Sequence, residues 1–169
     1  MGSSERQLLE EKSPWWGEHV HRYHVALEYL QRNDHVLDIA CGTGFGTHLL
    51  SDYLKEGSVI GGDVSEETLE ENKKRFKNVN NISFQYTDAT QLPFEDNTFD
   101  AIVSFETLEH VAQDQSMISE LRRVLKPNGK LILSTPNILV NSPTGVVTNP
   151  FHVREYTLDE LKEVVAKGF

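Results

Sequence analysis

The sequence predicts an α/β fold, a doubly wound parallel β-sheet covered by helices on both faces. Short apolar segments alternate with amphipathic segments along the chain, which is typical of strand–helix repeats. The apolar segments are continuously hydrophobic, as expected of strands buried on both faces. The first of them runs directly into a glycine-rich loop. Sheets of this kind bind ligands at the carboxyl ends of their strands, near the point where strand order reverses.

The elements follow one another in a regular order. A helix carrying Val20, Leu27 and Leu30 comes first. The predicted strands are 36–40, 58–64, 82–86, 99–105 and 131–133. The predicted helices after the first are 47–55 stopped at Gly57, one capped by Ser65, one at 117–125 ended by a turn at 126–129, and one opened by a capping box of Thr157 and Glu160.

Length, charge and cysteine content bound the function. The chain has 169 residues, one domain's worth, and a net charge of −10, which disfavours nucleic-acid and anionic membrane partners. The single cysteine, Cys41, indicates a reducing compartment. We find no secretory signal, so a cytoplasmic location is expected. We expect a leader at 1–17 and one domain at 18–169, with the aperiodic stretch 135–156 as a lid or acceptor loop.

The loop after the first predicted strand favours a cationic ligand. Asp38 precedes Gly42, Gly44 and Gly46, and the sixth position from Gly42 is Thr47, where a dinucleotide fingerprint has glycine. A pyrophosphate here would be repelled by the Asp38 carboxylate. S-adenosylmethionine carries a sulfonium, an ammonium and no phosphate, so it suits this site better. The alternative is that Asp38 only caps the loop.

Further carboxylates follow at neighbouring strand ends. Asp63 lies 21 positions after Gly42 and can accept from both hydroxyls of a ribose. The alternative is an acid at the N-terminus of the helix that Ser65 caps. Asp88 follows the third strand, where it could accept from an adenine amino group while the Ala89 N–H donates to the ring.

Taken together, these segments resemble the ordered motifs of the class I S-adenosylmethionine-dependent methyltransferases. The nearest likeness is to the small-molecule group that includes quinone-biosynthesis enzymes. The resemblance covers roughly residues 19 to 169 and implies S-adenosyl-L-methionine as cofactor and a small-molecule acceptor. The segments that carry it are Val36–Thr47, Asp63, Asp88–Ala89, Phe99–Val111 and Leu121–Pro136.

The resemblance implies a role for individual residues at the first two strands. Asp38, Gly42 and Gly44 would line the methionine part of the cofactor. Asp63 would hold the ribose, and Val64 would pack on the adenine.

It implies further contacts from other elements. Asp88 and Ala89 would read the adenine edge, and Phe105 would lie beside the cofactor. Arg22 and Tyr23, on the first helix, are candidates for contacting the cofactor carboxylate. The stretch 149–157 resembles a segment of methyltransferases from sugar and polysaccharide pathways.

Methyl transfer needs a base only where the acceptor must lose a proton. His110 and His152 are the candidates, because each lies at or near the predicted rim. The alternative for each is a packing or loop-bonding role. Glu106 and Glu109 are weaker candidates and are expected to face solvent.

No metal site is expected. His19 and His21 lie on different faces of a helix, and His21 with His24 would give only two ligands. Cys41 lies in a tight turn and is expected to be a small, packed side chain and not a nucleophile.

The sequence departs from the family in one respect, because no residues remain for the last two strands of the usual seven-stranded sheet. Either the sequence is a fragment or the protein completes its fold by other means. The segment 131–133 would then be an exposed apolar edge, which predicts self-association or covering by 135–156. Two other functions stay open, a binding module without turnover and a nicotinamide-dependent oxidoreductase. The net charge disfavours a nucleic-acid methyltransferase.

Overall fold

The computed structural model describes residues 16–169, which form a parallel five-stranded sheet with helices packed on it. Most of the predicted leader, 1–17, lies outside these residues, and the first helix begins at Trp16. The strands are β1 (His35–Ile39), β2 (Ser58–Asp63), β3 (Ile82–Tyr86), β4 (Phe99–Phe105) and β5 (Leu125–Ser134). The helices are α1 (Trp16–Leu27), α2 (Phe45–Tyr53), α3 (Glu66–Arg75), α4 (Asp114–Val124), the short α5 (Ile138–Asn141) and α6 (Leu158–Ala166). A 3₁₀ turn spans Leu108–His110.

The strand order is β3-β2-β1-β4-β5, and every neighbouring pair is parallel. The chain moves outward from β1 to β3 and returns to β4 on the other side of β1. The order therefore reverses between β1 and β4, so the carboxyl ends of these two strands form the crevice where a ligand is expected. The doubly wound prediction is confirmed.

The core lies on both faces of the sheet. One apolar cluster joins α1 and α2 to the sheet through Val36 and Val103, and another joins α4 and α6 to it through Leu37 and Ile102. Cys41 packs in a smaller cluster with aromatic rings near β3, as the sequence predicts for it. Burial raises the pKa of the Cys41 thiol well above its usual range, so the group stays protonated.

Both predicted helix caps are present in the structure. The Ser65 hydroxyl accepts from the Thr68 N–H at the start of α3, and Thr157 and Glu160 form a capping box at α6. One boundary differs. The stretch 126–129, expected to separate a helix from a strand, lies within β5 as a bulge, because Leu125 already pairs with Phe99.

The predicted edge is where the sequence placed it. β5 is the outer strand of the sheet beyond β4, and the apolar side chains of its segment 131–133 are half-buried. Among the described residues, no helix has the length and apolarity to cross a membrane.

Candidate functional site

The loop between β1 and α2 has a backbone that depends on glycine. Ala40, Gly42 and Gly44 all have positive φ, at 57°, 51° and 73°. A Cβ at Gly44 would lie about 3 Å from the rings of Phe76 and Phe84. The loop therefore presents bare backbone at the carboxyl end of β1, as predicted.

Asp38 lies beneath this loop and is fully buried. Its carboxylate accepts hydrogen bonds from the Thr47 hydroxyl at 2.7 Å and the Tyr23 hydroxyl at 3.1 Å. Burial raises the pKa of Asp38 to about 7, although both hydrogen bonds oppose the shift. The predicted contacts Asp38 and Tyr23 are thus hydrogen-bonded to each other, which their spacing in the sequence does not predict.

Asp63 ends β2 and links two loops. Its carboxylate accepts from the Gly42 N–H at 3.0 Å and the Ser65 N–H at 2.9 Å. It therefore ties the glycine loop to the start of α3, which matches the alternative helix-terminal role; its contact with a ribose stays a prediction. The neighbouring Val64 is 46% exposed, as a side chain packing on a ligand would need.

Asp88 and Ala89 follow β3 at the same edge. One carboxylate oxygen of Asp88 accepts from the Thr90 N–H at 2.8 Å and from the Thr90 hydroxyl at 2.7 Å. Ala89 is nearly buried. The structure thus gives Asp88 a local turn-forming role, and its contact with an adenine stays a prediction.

The other predicted cofactor contacts lie between α1 and β4. The Phe105 ring stands edge-on to Tyr23, with centroids 5.0 Å apart. The Arg22 guanidinium lies 3.5 Å from Glu106, which also accepts from the Ser134 hydroxyl at 2.7 Å. A ligand carboxylate at Arg22 would therefore compete with Glu106.

The prediction that Glu109 faces solvent is wrong. Glu109 sits on the 3₁₀ turn after β4 and is only 1% exposed. Its carboxylate accepts from the Thr135 hydroxyl at 2.8 Å. Burial, together with the nearby charge of Glu106, raises the pKa of Glu109 to about 7. The cover comes from a segment that sequence spacing does not connect to this turn.

That cover is the stretch 135–156, expected to be a lid or acceptor loop. It contains α5, and Asn137 pairs with Tyr156 where the stretch begins and ends. The N–H groups of Val153 and Arg154 both donate to the Glu109 carbonyl, at 2.7 and 3.2 Å. The segment therefore folds over the turn after β4.

The two predicted bases meet where this segment folds over the turn after β4, because His110 lies on that turn and His152 lies in the segment. Their rings are 5.1 Å apart and nearly perpendicular. Nδ1 of His110 lies 2.9 Å from the Phe151 carbonyl, and Nδ1 of His152 lies 2.8 Å from the Glu155 carboxylate. Glu155 is not among the site residues predicted from the sequence, although it lies in the stretch 149–157 that carries a resemblance.

Comparisons with known proteins agree with this fold. A family profile described as "Methyltransferase domain" matches residues 37–133, more than half of the chain. A protein of Mycolicibacterium smegmatis named "probable S-adenosylmethionine-dependent methyltransferase" is 33% identical over 158 residues, covering 93% of this chain and 59% of its own length.

Two further proteins give the same picture. A demethylmenaquinone methyltransferase of Symbiobacterium thermophilum is 41% identical over 118 residues, covering 66% of this chain and 46% of its own length. The crystal structure of the YcgJ protein from Bacillus subtilis has a TM-score of 0.77 at 28% identity, covering 89% of this chain and 68% of that one.

This chain thus spans roughly half the length of the curated relatives it matches. The profile match falls on the residues that build the sheet from β1 to β5 and the crevice at its carboxyl edge. The chain belongs to the class I S-adenosylmethionine-dependent methyltransferase family.

Proposed function

We propose that this protein binds S-adenosyl-L-methionine at the carboxyl ends of β1, β2 and β3 and transfers its methyl group to a small molecule. The observation that carries the proposal is the position of Asp38, Asp63 and Asp88 at three adjacent strand ends, around a loop with exposed backbone. Carboxylates favour a ligand with a cationic centre and a ribose diol, and they oppose a pyrophosphate.

The residues divide the ligand between them in this proposal. The backbone at Gly42 and Gly44 lines the methionine part, and the buried Asp38 lies behind it and supplies negative charge when it is ionised. Asp63 accepts from the ribose hydroxyls. Reaching the ribose requires Asp63 to share its oxygens between the ligand and the N–H groups that it already binds.

The same proposal places the adenine and the amino-acid carboxylate. Val64 packs on one face of the adenine, and Asp88 with Ala89 reads its edge. Arg22 takes the cofactor carboxylate in exchange for Glu106, with Phe105 beside it.

The cofactor supplies an activated methyl group, which the acceptor displaces in line from sulfur. The chain's own contribution is to orient the acceptor and to remove its proton where one must leave. We assign the acceptor to the region beside Glu109, His110 and His152, because it adjoins the crevice between β1 and β4. The names of the quinone-related relatives make demethylmenaquinone the first acceptor to test.

Calorimetric titration with S-adenosylhomocysteine, with NADH as the control ligand, tests the cofactor. We expect micromolar binding of S-adenosylhomocysteine alone. Asp63→Ala should weaken it by about 10- to 100-fold, the value of hydrogen bonds to a charged group. Asp159→Ala, whose side chain is 92% exposed on α6, should leave the affinity unchanged.

The outcomes separate the candidate functions. Binding of NADH in place of S-adenosylhomocysteine would contradict the methyltransferase proposal and favour an oxidoreductase. Binding of S-adenosylhomocysteine without methyl transfer to any member of an acceptor panel would favour a binding module.

A further inference from the structure

Three potential metal ligands converge beyond β4, beside the proposed cofactor site. Glu109, His110 and His152 each place one donor atom within 4.8 Å of the other two. The side chains of the two histidines are only 12% and 8% exposed, and Glu109 is almost fully buried. Buried polar and charged side chains need partners, so this cluster is a candidate ligand site.

The outer nitrogen of each imidazole is already fixed by the protein. The Phe151 carbonyl can only accept, so Nδ1 of His110 must donate to it, and a neutral ring then carries its lone pair on Nε2. Nδ1 of His152 donates in the same way to the buried Glu155 carboxylate. Histidines that bind metals are held by a carbonyl or a carboxylate on the other ring nitrogen, as both of these are.

The inner nitrogens face groups that a cation could replace or bind. Nε2 of His110 lies 3.8 Å from a Glu109 carboxylate oxygen. Nε2 of His152 lies 2.9 Å from the side-chain nitrogen of Asn149, which donates to it. A cation at Nε2 of His152 would have to displace that amide nitrogen, whose side-chain oxygen accepts from the Phe151 N–H at 3.0 Å.

We propose that Glu109, His110 and His152 bind a divalent cation of the zinc type. Two imidazoles and one carboxylate suit Zn²⁺ and Co²⁺, whereas Mg²⁺ and Ca²⁺ prefer all-oxygen sites. Three protein ligands leave a coordination position open. This departs from the expectation of no metal, which considered the histidines of α1 and could not anticipate that His152 folds back onto His110.

The consequence for catalysis rests on the proposed function. An acceptor hydroxyl in the open position would have a lowered pKa and would release its proton to water on binding. For an acceptor methylated on oxygen, that oxygen would then attack the methyl carbon, and the carbon–sulfur bond would break with both electrons left on sulfur. For a quinol methylated on carbon, the ring carbon would attack instead and then lose its proton to water. His110 and His152 would serve as ligands, and no side chain would need to act as base.

Cobalt titration of the full chain, prepared without a polyhistidine tag, tests the site. We expect one Co²⁺ per chain with a visible absorption band that Zn²⁺ abolishes and Mg²⁺ leaves intact. His110→Ala and His152→Ala should each lower the Co²⁺ affinity by about 100-fold, and Glu155→Gln by about 10-fold through loss of orientation. The matched control, His24→Ala, removes an exposed histidine of α1 and should change nothing.

S-adenosylhomocysteine titration of the same samples keeps the two proposals apart. Retained binding in the histidine variants shows that they are folded, and Glu155→Gln, which conserves shape, tests the site if His152→Ala does not fold. An absent band, or a band unchanged in His110→Ala and His152→Ala, would overturn the metal site. Cobalt binding without S-adenosylhomocysteine binding would support the metal site and overturn the proposed cofactor.

Discussion

At the carboxyl end of β1, Asp38 is held by Thr47 nine residues later and Tyr23 fifteen residues earlier. Beyond β4, Glu109 is held by Thr135 and His110 by Phe151, which follow 26 and 41 residues later. We call the first region, Asp38 with the loop 40–46 and Asp63, the cofactor rim. The second, Glu109 and His110 with the stretch 135–156, is the acceptor rim. The cofactor rim is thus built mainly from one strand–loop–helix unit, whereas the acceptor rim exists only once a distant segment has folded over it.

Gly46→Ala in α2 is expected to have the largest effect, and it acts on the cofactor rim. A Cβ at this position would overlap the ring of Tyr23 and displace its hydroxyl from Asp38. Overpacking and a lost donor to a buried carboxylate together cost about 3 kcal/mol. We expect the midpoint of thermal unfolding to fall by roughly 10 °C and S-adenosylhomocysteine affinity to fall with it.

Gly17→Ala is the matched control, because a Cβ there meets nothing within 4 Å and the residue is exposed on α1. It should stabilise the protein by about 0.5–1 kcal/mol. If the rims are independent, Gly46→Ala will leave Co²⁺ binding at the acceptor rim unchanged under conditions where the protein is folded. A parallel loss of both ligands would contradict that independence.

The cofactor rim and the sheet could be predicted because their signals are local. A continuous apolar run, positive-φ glycines and an acid at the next strand end lie within short stretches, and each has one physical reading. What could not be predicted there is which side chains form hydrogen bonds with each other. That Tyr23 donates to Asp38 depends on how α1 packs against α2, which residue spacing does not encode.

The acceptor rim could not be predicted in the same way. Glu109 follows a strand and precedes a helix, a context that suits an exposed acid as well as a buried one. The stretch 135–156 binds it at both its side chain and its backbone, through the Thr135 hydroxyl and through the N–H groups of Val153 and Arg154. His110 and His152 are predicted separately, and only the structure shows that they meet.

The bulge at 126–129 could not be predicted either, because it follows from the register of β5 on β4.

A smaller effect concerns the pH dependence of stability. Each rim buries one carboxyl group, Asp38 or Glu109, whose pKa is raised to about 7. The folded state therefore binds protons that the unfolded state has released, so these groups add stability below about pH 4 that is lost as pH rises to about 7. We expect Asp38→Asn to abolish one of the two contributions. The free energy of unfolding of wild type relative to this variant should fall by about 2 kcal/mol between pH 5 and pH 7.5.

Urea denaturation at the two pH values measures this. His19 and His35 have pKa values lowered mainly by burial and act in the opposite direction, but they are present in both proteins and cancel in the difference. Asp159→Asn, which changes an exposed carboxyl, should show no such trend against wild type. A constant difference between wild type and Asp38→Asn would show that Asp38 is ionised throughout.

The smallest expected effect comes from the helix that anchors the acceptor rim. Thr157→Ala removes the side chain that accepts from the Glu160 N–H and donates to its carboxylate, opening the capping box of α6 directly after the stretch 135–156. The free energy of unfolding should fall by about 1 kcal/mol, whereas Lys162→Ala on the exposed face of α6 should change it by less than about 0.5 kcal/mol. Since the hydrogen bonds of the cap join only Thr157 and Glu160, S-adenosylhomocysteine affinity should stay at the wild-type value. A weakened affinity would mean that the segment over the acceptor rim also holds the cofactor, and the two regions would then have to be treated as one site.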